Sequence, residues 1–137
     1  MAYIEWDDKY SVGISYIDEQ HKTLFYIIND IYDQVKENVT PNNVLLCKEV
    51  KRLKEYTFFH FLSEEKQMQQ LNYIGYDEHK AQHQIFIDKV NDWAERLEKN
   101  KPVMYMEITG FLKKWLTDHI LERDKNYSKH FKDNGLK

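Results

Sequence analysis

The sequence predicts an all-α protein: an up-down-up-down four-helix bundle with an N-terminal arm packed along it. Three observations carry this. Apolar and histidine positions recur in four segments with the alternating three-and-four spacing of a buried helix face. Four Gly and two Pro in 137 residues are too few turn formers for an all-β fold. The connections between segments are short, which favours antiparallel neighbours. A hydrophobic fraction of 42%, with seven Phe, ten Tyr and three Trp, supplies a real core and excludes disorder. The length fits one domain, read as residues 1–137 with an arm over 1–17 and the bundle over 18–134.

Each element has its own signal. The arm carries Trp6, Tyr10, Val12 and Gly13, too irregular for a helix and too apolar to float free. Asp18 serves as N-cap of a first helix whose stripe runs Ile17, His21, Leu24, Ile28, Ile31, Val35 and which ends near Asn38. Thr40 and Pro41 read as N-cap and first position of a second helix. Its stripe is Leu46, Val50, Leu53, Thr57, His60, Glu64, Met68, Leu71, ending before Gly75. Asp77 caps a third helix with His79, His83, Phe86, Val90, Trp93 and Leu97 on one face, up to a break at Lys99 to Lys101. Pro102 opens the fourth, with Met104, Ile108, Phe111 or Leu112, Trp115 or Leu116, and His119 inward. The charged run from Glu122 to Lys125 then predicts a kink or a new short helix.

Composition also narrows function. A net charge of −3 gives no basic footprint for nucleic acid. No run approaches the roughly 18 apolar residues of a membrane span, and the start MAYIEWDDKY has acids where a secretion signal needs an apolar stretch. The expected location is the cytoplasm. The single Cys47 cannot form an internal disulfide or a thiolate cluster, so any metal must be held by histidine and carboxylate.

Five of six histidines, His21, His60, His79, His83 and His119, fall on the inward stripes together with Glu64; only His130 lies outside, in the basic tail. Buried titratable groups are costly unless paired or metal-bound. In an up-down-up-down bundle the starts of helices one and three and the ends of helices two and four share one end. At a rise of about 1.5 Å per residue, the five rings and Glu64 come to a common level.

The local spacings suit ligation. His60 with Glu64, and His79 with His83, are i,i+4 pairs stacked on one helix face. His119 and Asp124 are five apart, which a straight α-helix separates by about 140°. Asp124 therefore joins only if a π-type bulge or a kink lies between Leu121 and Arg123. Five imidazoles and two carboxylates exceed the four ligands of a structural zinc and imply two metal ions. A mixed nitrogen and carboxylate set suits iron, with manganese and zinc as alternatives, rather than calcium or magnesium. Lys80 stands where a zinc protease would carry its general-base Glu, and the paired E-x-x-H motifs of ferritin-like sites are absent.

These residues resemble the bacterial branch of the hemerythrin family. The matching stretches are Trp6 to His21, His60 to Glu65, His79 to His83 and Trp115 to Asp124, in the ordered pattern H, H-x-x-x-E, H-x-x-x-H, H-x-x-x-x-D. The resemblance implies a non-heme di-iron centre with a bridging oxo or hydroxo group. His79, His83 and His119 would bind one iron, His21 and His60 the other, and Glu64 and Asp124 would bridge both. Two octahedral irons then keep one open position, on the two-histidine side, where dioxygen binds and leaves unchanged. Leu24, Phe61, Trp115, Leu116 and Ile120 match the family's apolar oxygen pocket, and the same residues also read as ordinary core.

The expected function is reversible dioxygen binding for storage, delivery or scavenging, without catalysis. The competing readings are an oxygen or redox sensor acting through a separate partner, a di-iron enzyme reducing peroxide or nitric oxide, and a zinc-holding bundle. A sensor would normally need an output domain, for which 137 residues starting at Met1 leave no room. Glu65, Glu122 and the lysines read as solvated helix faces. Tyr56, Tyr105 and Tyr127 are candidate hydrogen-bond donors to ligands, and Cys47 lies far from the ligand level.

Overall fold

The computed structural model describes residues 3–37 and 43–137. After a short 3-10 turn, Asp8–Tyr10, come α1 (Ser15–Glu37), α2 (Asn43–Gln70), α3 (Tyr76–Glu98) and α4 (Tyr105–His119). A π-helical segment, Ile120–Asp124, then leads directly into α5 (Lys125–Asp133). Helices α1 to α4 pack in a ring, each against its neighbours in sequence and α4 back against α1, giving the four-helix bundle.

The amphipathic stripes explain why these segments bury the faces they do. Every stripe position named for α1 and α3 is buried, as is that of α2 from Leu46 to Met68. Leu71 is only half-buried because α2 has already ended. The connections after α2 and α3 each open with an asparagine in the left-handed region, Asn72 (φ 54°) and Asn100 (φ 53°). The amides that follow reach back over the last turn, Tyr73 N to Met68 O at 2.8 Å and Lys101 N to Arg96 O at 2.7 Å. Asparagine tolerates this conformation better than most residues, so each helix stops there without a glycine.

Helix starts differ from the capping signals. Helix α1 begins at Ser15, a turn before the predicted cap, because Asp18 is spent on the arm: it accepts from Ser11 Oγ at 2.6 Å and Val12 N at 2.9 Å. Helix α3 begins at Tyr76 with Gly75 in the cap position, leaving Asp77 in the first turn. Helix α4 begins at Tyr105, since Pro102 to Met104 are not helical, and Met104 is exposed rather than inward. At the alternative positions the core takes Leu112 and Leu116, while Phe111 and Trp115 are half-buried. Thr40 and Pro41 lie outside the described residues.

The arm packs along the bundle as expected. Ile4 and Asn29 exchange two hydrogen bonds of 2.9 Å, Tyr3 stacks on Tyr32, and Tyr10 meets Phe25 edge-on. Gly13 takes φ 74°, a left-handed turn that leads the arm into α1 and that glycine adopts without strain. Buried apolar residues form two clusters. The larger fills the bundle from Leu24, Phe61, Phe86 and Leu116 towards Leu46 and Leu97. A smaller one of Val12, Ile14, Ile17, Met68, Tyr127 and Phe131 closes the other end. On α1 the sole stripe position between Ile17 and Leu24 is His21, and on α2 Glu64 falls between Phe61 and Met68. The polar layer thus sits between two apolar ones.

Candidate metal centre

The polar layer is assembled from every main helix. Helix α1 contributes His21, α2 contributes His60 and Glu64, α3 contributes His79 and His83, and α4 contributes His119 as its last residue. Asp124 closes the π-helical segment. An α-helix would have turned Asp124 away from His119, but the wider i→i+5 turn brings residues five apart onto one face. The bulge between Leu121 and Arg123 on which this residue depended is therefore present. Asp124 Oδ1 lies 3.0 Å from His119 Nε2 and 3.0 Å from His79 Nε2, and its Oδ2 lies 3.0 Å from His21 Nε2.

Two groups of ligating atoms emerge, each with all its atoms within 4.8 Å of one another. One comprises His79, His83, His119, Glu64 and Asp124; the other comprises His21, His60, Glu64 and Asp124. Both carboxylates belong to both groups, and no histidine does. In the first group the Nε2 atom of His119 is 3.1 Å from that of His83 and 3.1 Å from that of His79. Glu64 Oε1 sits 3.3 Å from His83 Nε2 and 3.4 Å from His60 Nε2. All seven side chains are at most 5% exposed.

The electrostatics follow from dense packing of two acids among five bases. Burial raises the cost of charge on Glu64 and Asp124, yet the surrounding imidazoles hold both carboxyls well below their ordinary range. Burial pulls His21 and His79 down, but the close carboxylates of Asp124 and Glu64 outweigh it and lift both to about 9. His60 follows burial instead and falls to about 3, and His119 is also lowered by burial. Burial, reinforced by Asp124 and Glu64, raises Tyr127 well above its usual value.

Several polar atoms are left without any hydrogen bond: Glu64 Oε1, both carboxylate oxygens of Asp124, both ring nitrogens of His21 and Nδ1 of His119. Each such buried atom costs roughly 1–3 kcal/mol. Orphaned oxygens facing a ring of imidazole nitrogens are what a cation would satisfy, and this nitrogen and carboxylate set fits a transition metal.

The family model of the hemerythrin HHE cation binding domain matches residues 12–130, a span that contains every residue of both groups. The chain belongs to the hemerythrin family. It is 33% identical over 129 residues to a bacteriohemerythrin of Pseudomonas aeruginosa, covering 93% of this chain and 80% of that protein. It is 30% identical over 128 residues to a bacteriohemerythrin of Methylococcus capsulatus, covering 93% and 95%. Hemerythrin subunit alpha of Lingula reevii is 32% identical over 126 residues, covering 92% and 93%. The crystal structure of a wild-type hemerythrin superposes with a TM-score of 0.86 at 29% identity, over 93% of this chain and 97% of that one. No helix among the described residues is long and apolar enough to cross a membrane.

Within this hemerythrin fold, the five residues predicted to form an apolar pocket divide by position. Phe61 lies flat on His83, with ring centroids 3.8 Å apart and 4° between planes, and Trp115 stacks on His119 at 4.4 Å and 12°. Both rings therefore cover the three-histidine group. Leu24, Leu116 and Ile120 are buried in the large apolar cluster, Leu24 one turn beyond His21. His130 stands apart from the cluster and contacts Leu71 O.

Three further side chains touch the cluster. Tyr127 donates to Glu64 Oε2 from a fully buried position. Glu65, expected on a solvated face, is buried, and its Oε2 accepts from His83 Nδ1 at 2.7 Å. Gln20, given no role from the sequence, has Oε1 2.6 Å from His60 Nδ1. The other two tyrosine candidates lie elsewhere: Tyr105 donates to Asn43, and Tyr56 packs on Phe59. The only sequence signal for Glu65 and Gln20 is that each adjoins a residue of the cluster and so faces the seam with the next helix. Glu122 is exposed, as expected, and Cys47 is on α2, where it is buried near Ala94.

Proposed function

We propose that this chain binds two iron ions and takes up dioxygen reversibly, for storage, delivery or scavenging. The observation that carries the reading is the sharing of Glu64 and Asp124 between a three-histidine and a two-histidine group inside a buried core. In this reading His79, His83 and His119 would hold one ion and His21 and His60 the other, with Glu64 and Asp124 available to both. When bound, an iron pair would supply the redox-active coordination chemistry that dioxygen requires.

The protein's own part is to position and to exclude. Glu65 and Gln20 fix ring orientation through the Nδ1 edges of His83 and His60, leaving Nε2 facing inward. Tyr127 holds one oxygen of Glu64 and so sets the rotation of that carboxylate. Leu24, Phe61, Trp115, Leu116 and Ile120 keep water from the layer; water and mobile protons would convert reversible binding into irreversible oxidation.

Reversible binding without catalysis is favoured over turnover by the commitment of every buried acid. Among the described residues the buried carboxylates are Glu64, Asp124 and Glu65, and Glu65 is paired to the far side of His83. No uncommitted buried acid is left to protonate a bound ligand.

The test is iron per chain, followed by the visible spectrum as oxygen is added to dithionite-reduced protein and withdrawn under vacuum. Two irons and a reversible change are the expected result. Rapid irreversible oxidation would instead favour a sensor working through a partner, or an enzyme reducing peroxide or nitric oxide. Zinc uptake without oxygen chemistry would reduce the chain to a metal-holding bundle.

A further inference from the structure

The Nδ1 edges of the histidines are treated unequally. His83 Nδ1 meets the carboxylate of Glu65 at 2.7 Å, and His60 Nδ1 meets the neutral amide oxygen of Gln20 at 2.6 Å. The Nδ1 atoms of His21 and His119 are buried with no partner. The two contacts share one construction. Gln20 immediately precedes His21 on α1 and reaches across to His60 on α2; Glu65 immediately follows Glu64 on α2 and reaches across to His83 on α3. Neighbouring residues on a helix point about 100° apart. One residue of each pair thus faces the cluster, and the other enters the seam behind the next helix's imidazole.

The consequence for the imidazoles is chemical. A carboxylate only accepts hydrogen bonds, so Nδ1 of His83 carries the hydrogen, and Nε2 is the nitrogen turned towards Glu64 and His119 and available to a metal. Gln20 Oε1 does the same for His60. The two backings differ by a full negative charge; Glu65 is buried and Gln20 half-buried, while the rings they contact, His83 and His60, are each 1% exposed, so charge beside them is screened less than in water. A charged acceptor behind an imidazole raises the basicity of its metal-facing nitrogen more than a neutral one does.

We propose that Glu65 and Gln20 are matched positioning residues whose charge difference makes the metal position served by His83 the tighter and more electron-rich of the two. The inference rests on the two-metal reading of the cluster. It concerns the contrast between the two positions rather than their existence. Phe61, lying flat on His83, blocks tilting of the ring and leaves the Nδ1 contact as its in-plane restraint.

The test compares wild type, Glu65→Gln, Gln20→Glu and the double exchange. Two readouts are used: zinc affinity against a chromophoric chelator, and the reduction potential of the iron-loaded protein. Thermal melts of the metal-free proteins check folding. Glu65→Gln keeps an acceptor at the same place, so the fold should persist while one zinc binds about 10–100-fold more weakly. The potential should rise in Glu65→Gln, fall in Gln20→Glu and return near wild type in the double exchange. A merely structural role would not move the two single variants in opposite directions. Unchanged zinc affinity in Glu65→Gln, or potentials that shift the same way in both, overturns the proposal. If Glu65→Gln does not fold, the downward shift in Gln20→Glu still decides. Failure of the wild type to take up zinc or iron overturns the two-metal reading as well, which separates the two failures.

Discussion

The two halves of the cluster are built from the same ligand types yet sit in different surroundings. His79, His83 and His119 come from α3 and α4, carry aromatic rings flat against two of them, and have a carboxylate behind one. Surface clefts reach this half from two sides, one past Gln82 and Trp115 to His119 and one past Leu62 and Lys80 to His83. His21 and His60 come from α1 and α2, meet edge-on with centroids 4.7 Å apart, and are at most 1% exposed, with a neutral amide behind one. Their proton affinities diverge, with His21 lifted to about 9 and His60 lowered to about 3. The lesson is that ligand identity sets what a position can hold, and the groups behind and around the ligands set how the positions differ.

The harshest way to break the comparison is to remove what both halves share. Asp124→Ala should abolish both positions at once, leaving less than one metal per chain by elemental analysis. Retention of one ion per chain would show that the halves do not depend on a common bridge. Single histidine variants should then separate them: His79→Ala should empty the three-histidine position, and His60→Ala the two-histidine one, each losing about half the metal. Full retention in His79→Ala would contradict its assignment.

Acidity gives the next largest effect. His21 and His79, one in each half, stay protonated until about pH 9 in the metal-free protein, because Asp124 and Glu64 outweigh their burial. Metal must displace those protons, so affinity should rise with pH from 6 towards 9 and level off above it. The slope should approach tenfold per pH unit for each proton displaced. Zinc titrations across that range measure it, and a flat profile would show that neither histidine is a ligand.

Packing contributes less. Leu116→Ala opens a cavity in the apolar cluster next to α4's last turn and should cost about 2–5 kcal/mol of stability. It should also speed autoxidation by admitting water, and an unchanged rate would remove Leu116 from the pocket wall. The smallest change is Tyr127→Phe. Losing the hydroxyl that Glu64 accepts from should cost about 1–3 kcal/mol in a melt of the metal-free protein. Metal stoichiometry should survive it.

The stripes on all four segments were legible because helical periodicity is a local property: once a residue is helical, its neighbours three and four away share its face. That reasoning placed His21, His60, Glu64, His79, His83 and His119 inward, and all six are buried. Asp124 was legible only as a condition, because period alone cannot say whether a helix bulges; packing of Tyr127 and Phe131 beyond it accompanies the π-helical turn. Glu65 shows the limit most clearly. Its own helix puts it off the stripe, and only α3 lying over that flank turns a flank position into a buried one.

By itself, then, the sequence determined the existence of the four helices, most of their inward residues and the family, since these depend on composition, spacing and the order of histidines and acids along the chain. The tertiary structure decided which carboxylates are shared, how the π-turn delivers Asp124, and which histidine receives a charged rather than a neutral neighbour. Those features depend on how residues far apart in the chain meet across helix seams. A one-dimensional pattern fixes direction from each helix axis and carries no record of what stands opposite.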